Sequence, residues 1–188
     1  MTAQLTPGFA NPPIEAAHAF RQVLEAMAHP GRIMGLAGIA APAPCSAAAA
    51  CVLLTLVDGT TPLHLAGAHD CAPVRDWVRF HLGAPLVGPQ EAAFALGTWD
   101  ALGPLAIYPQ GSAEYPDRSA TLIVECVALQ ASGARLTGPG IKDAAWLNLP
   151  DPAALRTNAA LFPRGVDIMF TSGAQIAALP RSTQIGDA

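Results

Sequence analysis

Arg79, Arg164 and Arg181 each stand at the end of an apolar segment. A guanidinium fork in such a place can hold a phosphate, or a partner's carboxylate, through two parallel hydrogen bonds. The competing role for each is structural, capping carbonyls or pairing with Asp58, Asp76 or Asp167. Gly138-Pro139-Gly140 is the best candidate for an anion loop, since glycine lets backbone amides come close to a phosphate. It lacks the Gly-Lys-Ser/Thr ending of a Walker loop, and Pro139 removes one donor, so a tight structural turn competes with that role. Lys142, the only lysine, follows the turn and is the sole amine able to form a Schiff base. Beside Asp143 after a turn, it also reads as a solvent-exposed lysine. His64 and His69 fall in a segment that reads as strand then loop, outside any His-Glu-x-x-His helix. That pattern suits hydrogen-bonded or surface histidines better than metal ligands. Ser119 has no nucleophile elbow around it, and no cysteine stands near an obvious basic partner. No catalytic set emerges from these residues.

Composition narrows the class. The 188 residues predict one domain that buries roughly 70% of the unfolded surface, with residues 1–11 as a loose tail. Net charge is −4, so no basic field draws nucleic acid. Only 13% of residues are charged, about half the usual share. This low charge suits a chain that covers part of its outside with a partner, although an alanine-rich proteome would produce the same figure. No basic start followed by an apolar core opens the chain, and the apolar run Ala47–Val57 is too short to span a bilayer. The expectation is a cytoplasmic protein that does not engage membranes. Cys45, Cys51, Cys71 and Cys126 show no C-x-x-C pairing and read as reduced, buried thiols.

The elements that must position these residues alternate between helix and strand. Asn11 and Pro12 open a helix with Ala16, Phe20, Val23, Leu24 and Met27 on one face, and it ends at His29-Pro30-Gly31. Arg21 and Glu25 can pair along its polar side. Arg32–Leu36 reads as a strand. Pro42 and Pro44 lead into a helix capped by Ser46 and apolar nearly all round, hence buried. After Asp58-Gly59 comes a strand over Thr61–Leu65, then a helix capped by Asp70 and ending at Gly83, with Arg75 and Arg79 outward. Leu86-Val87 and Ala92–Leu96 read as short strands. Thr98–Glu114 is a loop with about one helical turn. Ala120–Leu129 is the strongest strand, apolar on both sides and therefore central. A further strand falls at Arg135–Thr137. Pro152–Phe162 is helical and stops at Pro163. Val166–Phe170, a turn at Ser172-Gly173 and Gln175–Leu179 form a hairpin with one buried face, and Pro180–Thr183 closes extended. The whole predicts an α/β chain of three layers around a central mixed sheet.

Phe162-Pro163-Arg164-Gly165-Val166-Asp167, followed by Leu179-Pro180-Arg181-Ser182-Thr183, resembles the carboxyl-terminal signature of the PhnH family. That family belongs to the bacterial carbon–phosphorus lyase system, which degrades phosphonates. Phe20-Arg21 with Met27–Gly31 resembles its opening motif. Val52–Asp58 with Thr61-Pro62, Arg79–His81 with Ala84–Val87, Ser119–Leu129 and Leu136–Ile141 add to the likeness in the right order. The resemblance implies a fold like the large domain of the pyridoxal-phosphate transferases, reduced and without the cofactor. It implies an accessory, non-catalytic subunit acting with the G, I and L subunits. These transfer a ribose triphosphate unit from ATP to an alkylphosphonate and release adenine, and the product passes to the radical lyase subunit, J. Alone, such a chain is expected to form a homodimer. The alternative is a free-standing enzyme or small-molecule binder on a transferase-like fold. The residues marked for ligand or partner contact are Arg79, His81, Gly138, Gly140, Arg164, Asp167, Arg181 and Thr183.

Overall fold

In a computed structural model, which describes residues 8–36 and 39–186, the strongest predicted strand forms β4, Thr121–Glu125. It pairs parallel with β3, Phe94–Thr98, on one side and with β7, Asp167–Ser172, on the other. β2, Leu63–Leu65, adds a fourth parallel strand beside β3. β7 turns at Gly173-Ala174 into β8, Gln175–Leu179, its antiparallel neighbour. β1, Met34–Gly35, ends the sheet beyond β8. The sheet is therefore mixed, in the order β1-β8-β7-β4-β3-β2.

Strand alternation divides the core in two. Ile123, Met169 and Ala178 point to one face, beneath the helices α1, Pro12–Ala28, α2, Ala47–Leu56, and α3, Ala72–His81. Leu122, Val124, Ile168, Phe170 and Leu179 point to the other. There they meet the short helix α4, Trp99–Leu102, Leu155 of α5, Pro152–Ala159, and a small antiparallel sheet. That sheet has the order β6-β5-β9, formed by Ala145–Leu147, Ala134–Thr137 and Gln184–Gly186. The three layers follow from this arrangement.

Several expectations need correction. The hairpin is buried on both faces, because helices cover one side of it and the small sheet and α5 the other. Pro180–Thr183 does not end the regular structure; β9 follows and pairs with β5. Leu86-Val87 makes only a single bridge, to Leu63. The α1 face is rotated. Ala19, Val23 and Ala26 are buried, whereas Phe20 and Leu24 are 51% and 55% exposed. Two alanines in the contact let the helix lie close on its neighbours, which turns the larger side chains outward. Glu25 pairs with His29 at 3.3 Å. Asn11 makes no side-chain cap, and its own N–H donates to the Glu15 carboxylate at 3.3 Å. Asp70 does not cap α3 but binds Arg75 across its first turn. Ser46 does cap α2, its hydroxyl accepting from the Ala49 N–H at 3.1 Å. Of the expected loose tail, residues 1–7 lie outside the described residues, and Phe9 packs against the core.

Phe170 is 1% exposed in the central strand pair. Phe170→Ala is expected to cost about 3–5 kcal/mol in chemical denaturation, the usual price of deleting a buried phenyl ring. Near-wild-type stability would contradict this packing.

Candidate functional site

The four parallel strands all run the same way, so their carboxyl ends meet along one edge of the sheet. Ligands in open α/β sheets bind outside such ends. Here the edge carries a cleft of about 590 Å³ lined by Thr98, Trp99, Asp100, Glu125, Cys126 and Asn148, among others. Glu125 ends β4, the first charged residue after an apolar run. Its Oε1 accepts from the Ser46 N–H at 2.6 Å, and its Oε2 accepts from the Thr171 hydroxyl at 3.1 Å. One carboxyl group thus ties the start of α2 to the ends of β4 and β7.

His69 lies behind it, its Nε2 4.0 Å from Glu125 Oε1, with 3% of the histidine and 10% of the glutamate side chain exposed. Among the described residues, neither His69 ring nitrogen has a hydrogen-bond partner. A buried, unpaired polar group costs about 1–3 kcal/mol, so His69 is an energetically costly feature of this edge. Burial pushes the Glu125 carboxyl above its ordinary value, opposed by the bonds from Ser46 and Thr171. Burial also holds the His69 imidazole below its ordinary value. Both shifts favour the uncharged forms. Glu125 thus presents a carboxyl to the cleft, with a buried imidazole 4.0 Å behind it.

The thiols nearby are not nucleophiles. Burial, with Glu125 close, pushes Cys45 up to about 12 and Cys126 up to about 11, far from the thiolate form. His64 differs from His69, since its Nδ1 is 3.1 Å from the Tyr108 hydroxyl, which in turn donates to the Leu102 carbonyl. It is a hydrogen-bonded structural histidine.

None of the eight residues marked from the sequence lines this cleft. Asp167 and Arg181 come together as a clasp. The Asp167 carboxylate accepts from Arg181 N at 2.9 Å, Nε at 3.1 Å and Nη2 at 2.5 Å, while Nη1 donates to the Pro116 carbonyl at 2.7 Å. The signature arginine thereby joins the start of β7, the exit of β8 and the turn before β4. Arg164 is exposed on the turn after α5, and Arg79 on the outer face of α3. His81 packs its ring against Trp77 and Phe80, with centroids 5.1 and 4.9 Å away. Gly140, at φ 79°, lies directly on the Ala28 carbonyl and leaves no room for a side chain. Gly138 borders the Ser182 carbonyl, and Thr183 is buried, its hydroxyl without a partner among the described residues. Glu125 was missed, and His69, read from the sequence as a hydrogen-bonded or surface histidine, is instead buried with neither ring nitrogen bonded among the described residues. The available signal was the lone acid in an otherwise apolar strand.

The pair gives stability a pH signature. Folded His69 binds fewer protons than the unfolded chain, so its contribution is lost as pH falls below 6.5. Glu125 acts oppositely, its contribution fading as pH rises above 4.5. His69→Asn is expected to flatten the decline of the melting temperature below pH 6.5. An unchanged acid limb would contradict a buried neutral imidazole.

With this geometry in place, the chain can be set beside known proteins. The family model for the bacterial phosphonate metabolism protein PhnH matches residues 7–186. The subunit PhnH of alpha-D-ribose 1-methylphosphonate 5-triphosphate synthase from Rhizobium meliloti (strain 1021) is 37% identical across 98% of each chain. HtxG of Stutzerimonas stutzeri, named as a C–P lyase subunit protein, is 34% identical across 89% of this chain and 84% of its own.

Proposed function

The chain belongs to the PhnH family of bacterial phosphonate metabolism proteins, and from that premise we propose that it is an accessory subunit of the carbon–phosphorus lyase system. The observation that carries this is the end-to-end likeness to a named synthase subunit, 37% identical across 98% of both chains. Its proposed place is the synthesis of a ribose 1-alkylphosphonate 5-triphosphate. There it acts beside the G, I and L subunits as ribose triphosphate moves from ATP to an alkylphosphonate and adenine leaves. The J subunit then receives the product.

Exposed apolar residues support a role in assembly. Phe20 and Leu24 share a flank of α1, while Phe80 and Phe162 stand largely in solvent. Such groups suit coverage by partner chains, and in the isolated protein by a second copy related by a two-fold axis. No helix among the described residues is long and apolar enough to cross a membrane, and the proposed location is the cytoplasm. The reading gives the chain no pyridoxal phosphate; Lys142, its only lysine, is exposed. The mixed sheet flanked by helices is what a reduced transferase-type domain would retain.

A second reading, a small-molecule binder or enzyme in its own right, is favoured by the unpartnered His69 behind Glu125. Reconstitution separates the two. ATP and methylphosphonate are supplied, and adenine release is followed with the partners, with this chain and with both. Release that requires both is the expected result. Release by this chain alone would make it the catalyst, and undiminished release without it would remove it from the transfer.

A further inference from the structure

A second groove, of about 350 Å³, lies between the exit of α1 and the turn that leaves β5. His29 and Arg32 line it from the first, Gly140 and Lys142 from the second, and Trp146 from β6. In a chain of net charge −4, this groove gathers the only lysine, an arginine and a histidine. Among the described residues no aspartate or glutamate lines it, though the exposed Asp143 follows Lys142 in the chain. Arg32 and Lys142 are exposed, and neither side chain pairs with an acid among the described residues. His29 alone is engaged, its Nδ1 3.3 Å from the Glu25 carboxylate. Trp146 is 45% exposed and lines the groove, so part of its indole is open to a ligand there.

We propose that this groove binds a nucleoside phosphate, its phosphate between Arg32 and Lys142 and its base against Trp146. A guanidinium supplies a two-pronged donor and an ammonium a point charge, the usual combination for a phosphate. An indole face accepts any base by stacking. The volume falls within the roughly 300–1,000 Å³ of small-molecule sites. The carbonyl end of α1 offsets part of the positive charge, but Gly140 already covers the Ala28 carbonyl. The floor is fixed on the other side by Gly31, at φ 81°, pressed against Leu136 and Ala145. Side chains, not the turn's amides, perform the recognition, because Pro139 has no N–H and Gly140 is committed to packing on α1. The inference rests on these residues alone and stands whether or not the chain proves to be a subunit.

The test titrates the purified full-length protein with AMP, ATP, ribose 5-phosphate, inorganic phosphate and adenosine, by calorimetry and tryptophan fluorescence. AMP and ATP are expected to bind and quench. Lys142→Ala and Arg32→Ala should each weaken binding by about tenfold, the loss of one charge-assisted contact. Trp146→Phe should retain the heat and lose the quench, since Trp77 is buried and Trp99 lies in the other cleft. All three positions are exposed, so unaltered melting temperatures serve as the folding control. Any of three results would overturn the proposal: no binding of AMP or ATP, adenosine binding as tightly as AMP, or affinity indifferent to Lys142→Ala and Arg32→Ala. Ribose 5-phosphate matching AMP would remove Trp146 from the site and overturn the nucleoside assignment.

Discussion

Burial of β4 on both faces is the constraint from which the rest of the structure follows. Leu122 and Val124 pack toward the small sheet and α5, and Ile123 packs beneath the helices, all with no exposure. A strand so placed must have a partner on each edge, and β3 and β7 supply them in parallel register from Phe94↔Thr121 to Glu125↔Thr171. Parallel pairing puts the strand ends together, and β4 tolerates a charge only where it ends. Glu125 takes that place and satisfies its carboxyl with the Ser46 N–H and the Thr171 hydroxyl. The core therefore sets both the location of the acid and its raised proton affinity.

The sequence made much of this visible, for physical reasons that differ by element. Pro12 and Ser46 mark helix starts because their backbone and hydroxyl chemistry acts locally, whereas α5 ends at Ala159 and not at Phe162, before the chain reaches Pro163. The apolar run Ala120–Leu129 declared a central strand, though it ends at Glu125, where the chain leaves the sheet. The α1 face was misjudged because hydrophobicity ranks Phe20 and Leu24 above Ala19 and Ala26, while close approach of the helix rewards the small residues. β9 has three residues and a single buried side chain, Ile185, too little for any periodicity. His69 and Glu125 are 56 positions apart by number (125 − 69) and meet only through the sheet, so no local pattern joins them. The carboxyl-terminal signature was legible as a motif, and the structural role weighed for Arg181, pairing with Asp167, is the one it takes. Arg181 proves to clasp Asp167 and Pro116, which gives this arginine a structural task.

The two grooves differ in charge as well as place. Asp100 and Glu125 line the cleft at the strand ends, while Arg32 and Lys142 line the one beside α1. Burial favours the uncharged form of Glu125, which leaves Asp100 as the exposed acid of the first, while the second carries two exposed cations. Exposed apolar groups on α1 and α3 lie apart from the Glu125 cleft and can be covered by partners without closing it.

Membership of that assembly is the central claim, and recovery of the complex tests it most directly. The tagged chain is purified from its own organism grown with methylphosphonate as sole phosphorus source, and native mass is measured. The account predicts a hetero-oligomer containing the other carbon–phosphorus lyase subunits. A folded chain recovered only alone or as a homodimer, from cells in which those subunits are present, would contradict it.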